Sequence, residues 1–496
     1  MFTIGLDIGS SSVKACLYDT GSYKVVGSST SPTDEMLISS PVQGWAEQEP
    51  ELWWHHVLEA CADLRRRYPS QWMAVKAIGI GYQMHGLVSL DADGNPVRPS
   101  IIWCDSRAVE TGNSITEHIG RHRLLESNLN TPGNFTASKM VWMMENEPDA
   151  WSKTTTVMLP GDYVAYRLTG DKATSTTGLS EMALWDFLNH KADSLILNYI
   201  SDIKQKLPRI VPTIGFASVI AHDTAAMLGL SQDVAITYRS GDQPNNAFGL
   251  GVVDPGSVAM NAGTSGVVYA VTDRPVVDEA EAFNPFLHVT DTELDRRIGL
   301  LLCLNGCGIL NAQIRRLTKA SGYEQMNELA QEVPLGSEGL QILPFGNGAE
   351  RMLGNRNPGA SVHGWDLVRH GDAHFYRASL EGIAATLSYG IDHMRSLGVQ
   401  INKVHAGRAN LFLSPVFCDL IASIARVEVY LYESDGSSAA AKGAGYGAGL
   451  ISASIHPSQL LDKPTAYLPG TGDESSVERL RKEYYEKISS ILKHNI

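Results

Sequence analysis

Two carboxylates in this chain stand in settings suited to phosphate chemistry. Asp7 lies in LDIGSSSVKACLYD (residues 6–19), ahead of Gly9 and the hydroxyls of Ser10, Ser11 and Ser12. Backbone N–H groups and hydroxyls in such a turn can converge on phosphate oxygens. An acidic residue beside them makes sense if a cation intervenes, and Mg2+ held partly through water suits that arrangement. The same residues also fit an ordinary hairpin, with a capping Asp and serines that satisfy turn amides. Asp242, in YRSGDQPNNAFGLG (238–251), follows a small residue and a glycine at an expected strand-to-helix junction. There it could cap the helix or act as general base on a substrate hydroxyl.

Two further segments carry side chains that could recognise a polyol. GYQMHGLVSLD sets His85 after the thioether of Met84, and IIWCDSRA spaces Trp103, Asp105 and Arg107 at alternate positions. If extended, those three share one face. A structural histidine and a core tryptophan account for His85 and Trp103 taken singly. The chain lacks a G-x-x-x-x-G-K-[ST] loop, a G-x-S-x-G elbow and an H-E-x-x-H zinc motif. GAGYGAG (443–449) follows the helix-like run SSAAAK, which argues against a dinucleotide site. Phosphate binding would therefore fall to the hairpins.

The elements that must position these groups are legible as an α/β pattern. Residues 2–8 and 13–18 read as β-rich runs around the Gly-Ser turn. Helical spacing of Leu52, Trp53, Val57, Leu58, Cys61 and Leu64 predicts a helix over 50–68, and 75–83 reads as a strand ending at Met84-His85-Gly86. MNAGTSGVVYAVTD (260–273) echoes the opening stretch 254 residues later, matching Gly9, Ser11, Val13 and Asp19 with Gly263, Ser265, Val267 and Asp273. Asp7 is replaced in the echo by Asn261. Two such turns facing one another would clasp a polyphosphate.

A chain of 496 residues is long enough for two domains. A net charge of −14 argues against a nucleic-acid or anionic-membrane partner, and Arg65, Arg66 and Arg67 read as a solvated helix face. Six cysteines without C-x-x-C spacing suggest reduced, mostly buried thiols. With no basic n-region leading into an apolar stretch and no bilayer-length apolar run, a soluble cytoplasmic protein is expected.

Taken together these residues resemble the FGGY carbohydrate kinases of the actin-like ATPase superfamily, and the xylulose kinases among them. The likeness runs in order through GLDIGSSSVK, QMHG (83–86), WCDSR (103–107), NFTASKMVWMMENEP (134–148), GDYVAYRLTG (161–170), GDQPNNAFGLG (241–251) and NAGTSG (261–266), with LPFGNGAERML (343–353) and RASLEGIAATL (377–387) beyond. It implies two actin-like, ribonuclease H-like α/β domains with a cleft between them: residues 1–247 for sugar and catalytic base, 248–496 for nucleotide. It also implies ATP and Mg2+ as cofactors, with Asp242 as base. Met84, His85, Trp103, Asp105, Asp242 and Gln243 would be sugar contacts, and Asp7 and Asp242 metal ligands. Ser10, Ser11, Ser12, Lys14, Gly263, Thr264, Gly308, Gly407 and Asn410 would be nucleotide contacts. The family's adenosine-facing turn is a run of glycines then alanine, whereas this chain has HAGRANLFLSP (405–415), where the Arg408 guanidinium could crowd or stack on adenine.

The expected reaction is phosphorylation of D-xylulose to D-xylulose 5-phosphate, the Met-His-Gly run favouring xylulose over glycerol. Rivals are the same chemistry on ribulose, L-xylulose, a heptulose or a polyol, a catalytically silent sugar or nucleotide sensor, and an actin-like ATPase acting on protein partners. A homodimer is common among similar kinases.

Overall fold

The computed structural model describes residues 1–200, 202–470 and 474–493. These divide into two compact units, one of Met1–Gly251, Phe286–Ile298 and Ser434–Leu460, the other of Val252–Pro285, Gly299–Glu433 and Leu461–Ile496.

The first unit is built on a six-stranded sheet. Strands β1 (Phe2–Ile8) and β2 (Val13–Asp19) pair antiparallel, with Asp7 opposite Lys14 and Ile8 opposite Val13, which leaves residues 9–12 as the turn. Strand β3 (Lys24–Ser31) continues the meander. Helix α1 (Pro50–Arg67) starts on a proline, buries Trp53, Trp54, Val57 and Leu64, and ends on the three exposed arginines, whose charge suits the helix C-terminus. It leads through a short helical turn to β4 (Val75–Tyr82), which runs parallel to β1. Helices α2 (Thr136–Asn146) and α3 (Thr176–Glu181) precede β5 (Ile214–Val219) and β6 (Ala235–Gly241), and α4 (Asp242–Gly249) begins where β6 stops. The sheet order is β5-β6-β4-β1-β2-β3, with β6 parallel to β4 and β5 antiparallel to β6.

The second unit repeats the plan. Strands β7 (Gly256–Ala262) and β8 (Gly266–Thr272) form its hairpin, followed by β9 (Ile298–Leu304), α5 (Gly308–Thr318), the long α6 (Asp372–Ser396), β10 (Ile401–Gly407) and β11 (Glu428–Tyr432). Its sheet runs β9, β8, β7, β10, β11, Thr465–Tyr467. Here too the hairpin's first strand takes a parallel neighbour, that neighbour takes another, and an antiparallel edge strand closes the order. The 254-residue echo therefore reflects shared architecture.

Helix α7 (Gly436–Gly447) returns to the first unit. Its N-cap Asp435 accepts a hydrogen bond from the Ser438 amide at 2.8 Å. It lies almost directly on the sheet: a Cβ at Gly5 would stand 1.8 Å from the Ser437 carbonyl oxygen, and one at Gly79 2.0 Å from that of Ala440. Only glycine in the strands, facing the alanines of SSAAAKGAG, allows that approach. GAGYGAG is thus helical up to Gly447, as its flank predicts. No described helix is long and apolar enough to cross a membrane. Among the described residues all six cysteines are free, and only Cys104 is exposed.

Candidate active site

Parallel pairing brings the two carboxylates to one edge of the first sheet. β1 and β6 flank β4; Asp7 is level with Gly81, and Gly241, the residue before Asp242, is level with Tyr82. Gly81, between them, presents no side chain. Asp242 accepts a hydrogen bond from Gln243 Nε2 at 3.2 Å, and the main-chain N–H groups of Gln243 and of Asp242 itself also favour its charged form. The N-cap of α4 is Gly241, and Asp242 opens the helix as its first residue. Burial raises both carboxyls. Asp7 rises to about 6, with Lys14 opposing and Asp435 assisting. Asp242 rises to about 7, the charge on Asp7 adding to burial. Enclosed side by side, the two carboxyls resist releasing both protons, because each negative charge disfavours the other. Two enclosed neighbouring carboxylates make an all-oxygen donor set suited to a hard divalent cation.

The turn of residues 9–12 is tied down on several sides. Gly9 N–H donates to the Ser12 carbonyl at 3.0 Å, Met36 N–H to that of Ser11 at 2.8 Å, and Gln48 Nε2 to that of Ser10 at 2.7 Å. Lys14 is exposed, on the strand opposite Asp7. The indole N–H of Trp103 approaches Ser10 Oγ at 3.4 Å, which sets this half-exposed ring beside the turn.

Met84 and His85 follow the end of β4, next to Gly241. Met84 is buried, and a Cβ at Gly241 would stand 2.6 Å from its Cγ and 2.7 Å from Glu181 Oε2. His85 adopts a left-handed backbone, φ 59°, with its ring against Phe135 at 4.5 Å and Phe286 at 5.2 Å between centroids. Burial pushes its pKa down to about 3.

WCDSR departs from expectation. Residues 103–107 form turns rather than a strand, so Trp103 and Asp105 share no face: the first is half exposed and the second buried. Asp105, expected in the sugar pocket, is spent on structure. Its carboxylate accepts from Arg107 Nε at 3.0 and 2.9 Å, from another nitrogen of that guanidinium at 2.7 Å, and from the Ala46 amide at 2.6 Å. Arg107 in turn lies over the Trp45 ring at 3.7 Å. A buried acid with a bidentate arginine has little capacity left for a sugar.

In the second unit the predicted nucleotide residues converge. Gly308, opening α5, donates its N–H to the Gly263 carbonyl at 2.8 Å, and Ile309 N–H reaches that of Thr264 at 3.2 Å. A Cβ at Gly308 would fall 2.3 Å from the Gly263 oxygen, so glycine is required there; a Cβ at Gly263 would meet Asn410 Nδ2 at 3.4 Å. Gly407 ends β10, and Asn410 is left-handed at φ 55°. Arg408 pairs through Nε with Glu433 at 3.0 Å and hydrogen-bonds Thr465, which gives the guanidinium partners other than a base.

Sequence reasoning missed four residues around His85. Lys139 and Glu181 are fully enclosed, and Phe135 and Phe286 frame the ring. A lone lysine inside TASKMVWMM was a readable signal, since lysine is seldom buried without a dedicated partner. Nothing local marks Phe286, 201 residues from His85.

Residues 2–249 match the model of the FGGY family of carbohydrate kinases, N-terminal domain, and 258–447 that of its C-terminal domain. The chain is 29% identical to the xylulose kinase of Haemophilus influenzae over 85% of its own length and 86% of the relative's. Its fold matches ligand-bound xylulose kinase from Lactobacillus acidophilus with a TM-score of 0.90 at 23% identity, covering 99% and 98% of the two chains. It matches gluconate kinase from the same organism equally well, also 0.90 at 23% identity with the same coverage. With both family models matched along most of its length, the chain belongs to the FGGY family of carbohydrate kinases.

Proposed function

We propose that this protein transfers the γ-phosphoryl group of ATP to a ketopentose, D-xylulose foremost, yielding D-xylulose 5-phosphate. Asp242 carries the reading: a carboxylate at a strand end, enclosed beside Asp7, whose pKa of about 7 suits a general base at neutral pH. The xylulose kinases among its relatives favour the ketose over other acceptors.

In this reading Asp242 removes the proton of the sugar hydroxyl as that oxygen bonds to the γ-phosphorus and the bond to the ADP oxygen breaks. Gln243, bonded to Asp242, keeps the carboxylate aimed and holds the sugar, and Met84 and His85 line the acceptor side. Asp7 and Asp242 would hold Mg2+, which when bound offsets phosphate charge. The amides and hydroxyls of Ser10, Ser11 and Ser12, with Lys14, would serve the phosphates, as would Gly263, Thr264 and Gly308; Gly407 and Asn410 would serve the nucleoside. Residues 1–247 supply sugar and base, residues 248–496 the nucleotide side.

The test is ADP release from ATP and Mg2+ with D-xylulose, ribulose, L-xylulose, gluconate and glycerol in parallel, with Asp242→Asn as the blank. Stimulation by D-xylulose that the variant loses supports the proposal. Stimulation by another acceptor keeps the kinase and moves the substrate. ATP binding with no stimulation by any acceptor favours a silent sensor.

A further inference from the structure

His85 is held from three directions, by the buried side chains of Glu181 and Lys139, which the reaction itself does not use, and by the main-chain carbonyl of Glu181. Its backbone N–H donates to Glu181 Oε1 at 3.2 Å. Its backbone carbonyl accepts from Lys139 Nζ at 2.7 Å, and the same ammonium reaches the Ile102 carbonyl at 3.0 Å. Its ring Nδ1 lies 2.9 Å from the backbone carbonyl of Glu181. Glu181 and Lys139 are both inaccessible to solvent, and a left-handed conformation at a residue with a side chain persists only where its surroundings enforce it.

The chemistry of these contacts sets the tautomer. A backbone carbonyl can only accept, so Nδ1 must carry the hydrogen; in a neutral imidazole Nε2 is then a lone-pair acceptor. No described residue donates to Nε2. We propose that Glu181 and Lys139 are positioning residues that lock His85 as the Nδ1–H tautomer, so that Nε2 accepts a hydrogen bond from a substrate hydroxyl and the site requires a donor at that point of the acceptor. This deepens the reading of His85 as a sugar contact and rests on it. It assigns the oxygen facing His85 as a hydroxyl: a ketone oxygen, a fluorine or a methoxy group there would offer no hydrogen.

Burial and the neighbouring Asp162 and Asp242 carboxyls raise the Glu181 carboxyl well above its usual range. Toward His85, Glu181 serves as an acceptor through Oε1, a role that a glutamine carbonyl can also fill. Glu181→Gln is expected to keep the sugar KM of the wild type. Glu181→Ala and Lys139→Met are expected to raise that KM about tenfold, the weight of one well-made hydrogen bond, with the KM for ATP unchanged.

The decisive measurement is 15N NMR of the ring nitrogens in protein labelled at histidine, with His85→Gln for assignment. The expected wild-type spectrum has a protonated Nδ1 and an unprotonated Nε2 from pH 6 to 8, with the Nε2 resonance moving when the sugar that supports ADP release is added. Lys139→Met should give a tautomer mixture. A wild-type ring protonated at Nε2 would overturn the proposal. So would an Nε2 resonance indifferent to the sugar, or a Lys139→Met variant that folds and keeps both tautomer and KM. If D-xylulose fails to stimulate ADP release, the ketose reading falls alone, because the tautomer is read in the ligand-free protein.

Discussion

The two hairpin turns share a backbone plan and differ in charge. In the first unit the turn follows Asp7, enclosed beside Asp242 and the N-terminus of α7, where a Cβ on Gly436 would lie 2.3 Å from Asp7 Oδ2. In the second unit the equivalent position is Asn261, and the turn closes through main-chain bonds from α5 to Gly263 and Thr264. The first turn carries a titratable carboxylate at that position, and the second a neutral amide. A carboxylate invites a cation or a proton, whereas an amide leaves the turn free to approach phosphate.

The largest break in this contrast should come from Asp242→Asn, which removes the proposed base and leaves the helix start intact. A fall in kcat of about two to four orders of magnitude is expected, read by steady-state ADP release with circular dichroism as the control for folding. Asp7→Asn should come next. It would weaken Mg2+ binding and, in metal-free protein, let the Asp242 carboxyl titrate below about 7, which carboxyl 13C shifts would report.

A pH effect follows with its sign. The folded-state pKa of Asp242 is raised from 3.8 to about 7, so between those values the folded chain holds a proton that the unfolded chain has released. Metal-free stability should therefore decline as pH rises across that window and level off above it, and Asp242→Asn should flatten the slope in denaturant titrations. For the same reason Mg2+ affinity should climb as pH passes from 6 to 8, since protons must leave before the metal enters.

Making the turns alike should have a smaller effect. Asn261→Asp places a carboxylate in the second turn, and the expected outcome is a KM for ATP raised severalfold with the sugar KM unmoved. Gly436→Ala would press on Asp7 at a cost of about 1–3 kcal/mol, visible as a lower melting temperature. Smallest is Arg408→Ala: with the guanidinium tied to Glu433 and Thr465, the KM for ATP should shift by no more than about threefold, the scale of an exposed pair.

Much of this was legible in order along the chain. The hairpin of residues 2–19, the strand running up to Met84-His85, the junction at Asp242 and the echo at 260–273 are local patterns, and local patterns survive folding. WCDSR was misread because alternation implies one face only in an extended chain, and the Arg107–Asp105 pair turned the segment on itself. The partners of Arg408, Glu433 and Thr465, were not legible locally because they lie 25 and 57 residues on.

What the sequence determined by itself was the set of strand ends carrying Asp7, His85, Asp242 and Gly263, since period-two runs, glycine turns and a strand-to-helix junction are written in neighbouring residues. The tertiary structure decided what surrounds them. Parallel pairing through β4 sets Asp7 beside Asp242, α7 arrives from about 430 residues away, and Lys139 and Glu181 close on His85. Burial and proximity, which set the carboxyl pKa values and the histidine tautomer, are properties of neighbours in space that no local pattern records.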